Sequence, residues 1–182
     1  MSAASQRALV LADTHIRPDR KRRLPDAVYA ELERVDVILH AGDVVTSDLL
    51  DELAGFAPVH AVLGNNDAAL LGAIPETVEI DLAGVPVAMV HETGPTKGRA
   101  RRVRRRFPGA ALVIYGHSHQ PADEAGLDGQ RLFNPGSPTE RRRAPFPTYG
   151  RIDFESGRIV RRTIVQIRTQ GPESAGRYKP RE

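Results

Sequence analysis

Short apolar runs separated by polar stretches recur along most of the chain, an alternation that predicts a layered α/β domain. Residues 8–12 predict a buried strand. Pro25 suits a first helical turn, where its missing N–H costs nothing, and opens a predicted helix over 25–34; residues 36–40 predict a second strand. Thr46 or Ser47 is placed to cap a short helix ending near Ala54, followed by a strand over 58–63. Residues 76–81 and 85–90 flank Leu82, Ala83 and Gly84 and predict a hairpin that turns at Gly84. Residues 96–107 predict a basic helix stopped by Pro108 and Gly109. Strands then follow over 112–115 and, after a turn containing Gly129, at Leu132 and Phe133. A last hairpin has arms 148–154 and 158–167 joined by Glu155, Ser156 and Gly157, and both arms alternate apolar with polar positions as half-exposed antiparallel strands do. From residue 169 the chain turns polar, with Gly171, Pro172, Gly176 and Pro180. The expected organisation is an N-terminal extension over 1–7, one domain over 8–168 and a flexible tail over 169–182.

Composition narrows the classes. With 182 residues, 40% of them hydrophobic, one domain can bury a core without disulfides. The longest apolar run, over 110–115, is far too short to span a bilayer, and residues 1–7 hold no apolar signal-peptide core, so the expected address is the cytoplasm and no membrane partner is expected. The absence of cysteine removes thiolate nucleophiles, iron–sulfur clusters and thiolate zinc sites, leaving N and O donors for any metal. Arginine runs at 20–23, 101–106 and 141–143 suit a phosphate-bearing partner, yet each also reads as a solvated face. With 5% aromatics and no tryptophan there is no evident platform for stacking bases, so nucleic acid is not the favoured partner. No heptad or apolar stripe demands an oligomer, and a homo-oligomer stays open.

The chemistry collects where apolar strands end. Asp13 and His15 follow the first strand, Asp43 the second, Asn65, Asn66 and Asp67 the third, His91 the fifth predicted run, and His117 with His119 the run after the basic helix. In α/β sheets the crevice beyond the carboxyl ends of strands is where sites form. The set mixes imidazole, carboxylate and amide donors, suits Mn, Fe, Ni or Zn, and is too large for one ion. Two ions sharing a carboxylate are the natural solution.

In order and spacing, Asp-x-His, Gly-Asp, Gly-Asn-x-Asp, His and Gly-His-x-His resemble the calcineurin-like metallophosphoesterases, and Asn134, Pro135, Gly136, Ser137 and Pro138 resemble the segment that follows in their small single-domain bacterial and archaeal phosphodiesterases. The resemblance covers residues 9–167. It implies a four-layer αββα sandwich, two mixed sheets packed face to face with helices outside. It implies a hydrolase, a phosphodiesterase acting through two divalent ions, manganese first among them, and a bridging water that they activate. Asp13, His15, Asp43 and His119 would hold one ion, and Asp43, Asn65, His91 and His117 the other. Asn66, His91 and Asp67 are the candidate catalytic residues, Asp67 by anchoring the Asn65 loop; Asn66 and Arg141, in its run with Arg142 and Arg143, are the candidate contacts to the phosphate of a small phosphodiester.

Two departures bear on substrate. Asn66 stands where much of the superfamily has a histidine, and an amide cannot deliver a proton to a leaving group. Glu92 stands where glycine is common, and orients His91, crowds the pocket or points outward. His40 reads as a buried, hydrogen-bonded strand histidine, with a role behind the ligands as the alternative. Rival functions are a protein-binding scaffold of the same fold, as in the retromer scaffold subunit it also resembles, and a phosphomonoesterase or nuclease.

Overall fold

The computed structural model describes residues 4–17, 19 and 22–168. Its first sheet takes strands β1 (Ser5–Leu11), β2 (Val37–His40), β3 (Val59–Ala61), β9 (Thr148–Glu155) and β10 (Arg158–Gln166), in the order β10-β9-β1-β2-β3. The second takes β4 (Thr77–Leu82), β5 (Val85–Val90), β6 (Leu112–Ile114), β7 (Ala122–Ala125) and β8 (Arg131–Asn134), in the order β4-β5-β6-β8-β7. Both are mixed: β1, β2 and β3 run parallel, as do β5, β6 and β8, while β9 runs antiparallel between β1 and β10, and β4 and β7 run antiparallel at the two edges of the second sheet.

Strand periodicity builds the layers. Ala8, Val10, Val37 and Leu39 point to one side and meet Val87, Met89, Leu112, Ile114 and Phe133 of the facing sheet. Their chain neighbours Leu9, Leu11 and Ile38 point to the other side, against Val28 and Leu32 of helix α1 (Asp26–Leu32) and Leu49 and Leu53 of α2 (Ser47–Ala54). Beyond the second sheet, Ala88, Val90, Val113 and Leu132 pack on Val103 of α3 (Arg99–Arg106) and on Phe107. Helices therefore lie outside both sheets, and each central strand is apolar on both faces because each face is covered. Gly150 of β9 marks the closest approach of the sheets: a Cβ there would stand 2.5 Å from Cε1 of Phe133.

Several boundaries differ from those expected. β1 starts at Ser5, so residues 5–7 of the expected extension are strand; they pair with Glu155, Phe154 and Asp153, and Arg7 holds the Asp153 carboxylate at 3.0 Å. Polar edge residues satisfied by pairing carry no apolar signal. The basic helix begins only at Arg99, because Gly98 has φ +76° and breaks the turn expected from Thr96. β7 went unforeseen: its Ala-Asp-Glu-Ala sequence lacks hydrophobic alternation, and Asp123 is held by Arg131 and Arg162 instead. The start of the expected N-terminal extension, residues 1–3, and the expected flexible tail over 169–182 lie outside the described residues. Among the described residues no helix is long and apolar enough to cross a membrane.

Candidate metal centre

The parallel strands bring their carboxyl ends to one rim of the sandwich. From the first sheet, β1 delivers Asp13 and His15, β2 delivers Asp43 and β3 delivers Asn65; from the second, β5 delivers His91 and β6 delivers His117 and His119. The chain bends sharply at these points. Asp13, His15, Asp43, His117 and His119 all have positive φ, at 54°, 46°, 58°, 68° and 56°. Such left-handed residues cost of order 1–3 kcal/mol each and persist where surrounding structure holds them, typically at sites.

The donor atoms converge in two groups. In one, Nε2 of His15 and His119 stand 3.2 Å apart, with Asp13 Oδ1 3.4 Å from the latter. In the other, Asn65 Oδ1 lies 3.1 Å from His91 Nε2 and 2.9 Å from His117 Nδ1. Asp43 Oδ2 sits between them, 3.4 Å from His15 Nε2 and 3.5 Å from His91 Nε2. Asp13, His15 and His119 form one cluster of metal-ligand geometry, and Asp13, Asp43 and His91 another.

The groups behind these donors aim them. Nδ1 of His91 faces the carbonyl of Ala41 at 2.7 Å and Nδ1 of His119 that of Glu140 at 2.6 Å. A carbonyl only accepts, so Nδ1 carries the proton in each ring and Nε2 presents its lone pair to the centre. Gly42, at φ +88°, makes room: a Cβ there would fall 2.6 Å from His91 Nδ1.

The charges fit a cation. Asp13 is fully buried and its Oδ2 finds no hydrogen-bond partner. Burial, reinforced by Asp43 and opposed by His91, pushes its carboxyl up to about 7. Burial likewise depresses His15, and takes His119 down to about 4. Asp43 goes the other way: burial alone would raise it, but the adjacent His91 ring and hydrogen bonds from Asn66 hold it well below the usual carboxylate range. An orphaned carboxylate oxygen beside neutral imidazoles is the donor set a divalent cation needs.

The family profile of the calcineurin-like phosphoesterase superfamily domain matches residues 7–157. The chain belongs to that superfamily. A probable metallophosphoesterase of Methanothermobacter thermautotrophicus is 38% identical over 132 residues, covering 71% of this chain and 76% of that protein. Among solved structures, vacuolar protein sorting 29 of Cryptosporidium parvum shares the fold with a TM-score of 0.73 at 18% identity, covering 90% of this chain and 98% of that one. A conserved uncharacterized protein of Streptococcus pneumoniae, a predicted phosphoesterase, shares it at 0.69 with 20% identity, covering 91% of each. The αββα sandwich expected from the resemblance is thus the fold of this calcineurin-like phosphoesterase.

Of the other expected site residues, Asp67 and His40 lie as anticipated and Asn66 and Arg141 do not. Asn66 gives its backbone N–H to Asp43 Oδ1 and its side-chain amide to Asp43 Oδ2, both at 2.8 Å, the carboxylate being the nearest strong acceptor. Asp67 accepts the N–H groups of Asp43, Val45 and Gly64 at 2.7–2.9 Å, which locks the β2 and β3 loops together. Arg141 turns away and caps the carbonyl of Ala144 at 2.9 Å. Arg142 instead, at φ +45°, brings its charge to bear on Asp13, His15 and His119, and has no hydrogen-bond or ion-pair partner among the described residues. Glu92 is exposed and lines a cavity beside His91 and Asn65. His40 is buried, its Nε2 3.1 Å from the Thr14 hydroxyl.

The candidate centre is also braced by residues that carry no donor to it. Ser137 Oγ donates to the carbonyl of Asp13 at 2.7 Å, Thr139 Oγ1 to that of Thr14 at 2.6 Å, and the amide of Asn134 to Gly116 at 3.0 Å. The Asn-Pro-Gly-Ser-Pro run was their signal.

Proposed function

We propose that this calcineurin-like phosphoesterase hydrolyses small phosphodiesters at a dinuclear centre held by Asp13, His15, Asp43, Asn65, His91, His117 and His119. One observation carries the reading: Asp43 Oδ2 lies between the two histidine groups, at 3.4 Å and 3.5 Å, where a bridging ligand belongs. Divalent cations bound there, manganese first among them with iron, nickel and zinc as alternatives, would supply Lewis acidity to water and neutralise phosphoryl charge. The chain's own groups do the rest. Asn66 and Asp67 orient Asp43 and its loop. His91 keeps its proton on Nδ1, so its Nε2 serves only as a donor of electrons. Arg142, in place of Arg141, meets a non-bridging phosphate oxygen as a charge-assisted hydrogen-bond donor. Asn66 has no proton to give, so good leaving groups are favoured.

The test is hydrolysis of bis(p-nitrophenyl) phosphate beside p-nitrophenyl phosphate by metal-stripped protein with Mn²⁺ restored. The expected result is Mn²⁺-dependent turnover that favours the diester and is lost in His119→Ala. No turnover with any divalent ion by folded protein would overturn the proposal and leave the protein-binding scaffold.

A further inference from the structure

After His91 the chain loops over toward α3, and Arg102 of that helix ties the loop down. Its guanidinium donates to the carbonyls of Thr93 at 3.2 Å and Lys97 at 2.9 Å, and to that of Pro95. Loop and helix enclose a cavity of about 490 Å³, floored by Val90, Val103 and Phe107. A second cavity, of about 370 Å³, has Asn65 and His91 in its wall. Val90, Glu92 and Arg106 line both, so one cleft runs from the metal centre to the helix. Pockets of several hundred Å³ with apolar floors and a few charged groups are where small ligands bind.

The charges in the cleft are unevenly used. Along α3, Arg99 pairs with Glu124, Arg104 with Asp128, and Arg102 is spent on the loop. Among the described residues Arg105 and Arg106, which line the cavity, have no hydrogen-bond or ion-pair partner, and Arg106 lies over the Phe107 ring at 5.3 Å. Glu92 is the one carboxylate among the residues lining the larger cavity, so the arginines leave it cationic. Two unneutralised guanidiniums above an apolar floor complement an anion carried on an apolar body.

We infer that this cleft receives one ester arm of the phosphodiester, and that the arm carries a phosphate of its own, bound by Arg105 and Arg106. The inference rests on the phosphodiesterase reading for the position of the scissile group. The two guanidiniums give the enzyme a preference for diesters bearing a second phosphate over otherwise identical diesters without it.

The dinucleotides TpT and pTpT, which differ only in a terminal phosphate, test this with Mn²⁺-loaded protein. The expected result is a KM about tenfold lower for pTpT, the difference that roughly 1.4 kcal/mol makes. In the double variant Arg105→Ala with Arg106→Ala that preference disappears, while Arg101→Ala, outside the cleft, keeps it. Calorimetric binding of thymidine 3′,5′-bisphosphate to the inactive His119→Ala protein gives a readout without turnover. It should weaken about tenfold when Arg105 and Arg106 are also replaced. Turnover of both dinucleotides with equal KM, together with bisphosphate binding indifferent to the two arginines, would overturn the cleft proposal and leave the catalytic reading standing. If no diester is hydrolysed, the catalytic reading fails, and the bisphosphate titration alone decides for or against the anion site.

Discussion

At the scale of single residues, the loop after β8 decides which arginine bears on the candidate centre. His119 donates to the Glu140 carbonyl, Arg22 holds the Glu140 carboxylate at 2.5 Å, and Ser137 and Thr139 brace the backbone of Asp13 and Thr14. The left-handed turn at Arg142 then brings a guanidinium with no hydrogen-bond or ion-pair partner among the described residues to bear on Asp13, His15 and His119. A hydrogen bond to a charged group contributes about 1.5–3 kcal/mol, so Arg142→Gln should raise the KM for a chromogenic diester by roughly tenfold or more, with a smaller change in kcat. Arg141→Gln, which loses only the Ala144 carbonyl, serves as the comparison; equal kinetics for the two variants would remove Arg142 from the site. His40 makes a prediction of a different kind. Burial, reinforced by the neighbouring His91, lowers its pKa from 6.5 to about 3. The unfolded chain therefore takes up this proton first. The stability that neutral His40 contributes is complete above pH 6.5 and is lost as pH falls from there toward 3. Between about pH 7 and pH 5 that loss amounts to about 2 kcal/mol, and a bound cation would push the same way. Urea unfolding of His40→Gln at both pH values should show a decline smaller by that amount than in the wild type. Parallel declines would mean that His40 is already protonated in the fold.

At the scale of elements, what was legible in the sequence depended on which faces are covered. β1, β2 and β6 pack on both sides, so their continuous apolar runs announced them. β7 draws its hold from Asp123 and Glu124, which meet arginines on β8, β10 and α3, and ion pairs between distant elements leave no local pattern. The hairpin turns at Ala83 and Gly84 and at Ser156 and Gly157 were readable because both residues of each take positive φ, as tight two-residue turns require. The seven candidate ligands were readable for a related reason: each follows a strand, and parallel strands end on one rim. The turn of each side chain was not. Nothing local tells that Asn66 faces Asp43 rather than a substrate, because that depends on β2 and β3 lying side by side. Nothing local separates Arg142 from Arg141 either, since the left-handed residue is not a glycine.

At the scale of the whole molecule, the centre joins two halves. Asp13, His15, Asp43 and Asn65 hang from the first sheet, and His91, His117 and His119 from the second. Away from that rim the hairpin tips already tie the sheets, Gly157 donating its N–H to the Ala83 carbonyl at 2.7 Å. At the site rim hydrogen bonds such as that of His91 to the Ala41 carbonyl also cross, but Asp13 Oδ2 stays buried with no hydrogen-bond partner among the described residues, a gap in that edge. A cation ligated from both sheets would close it. Binding that favours the folded state adds about 2.7 kcal/mol when free metal exceeds Kd a hundredfold. For a domain of this size each kcal/mol moves Tm by roughly 2–4 °C, so Mn²⁺ should raise Tm by roughly 5–10 °C over chelator-treated protein. His91→Ala takes away a ligand of the second sheet and Asp43→Asn the carboxylate between the two sets, and each should lose most of the shift. A Tm that does not move with Mn²⁺, while equilibrium dialysis finds the ion bound, would mean that the ligands of one sheet hold it alone. The two sheets would then meet through their apolar core, with no metal bridge at the rim.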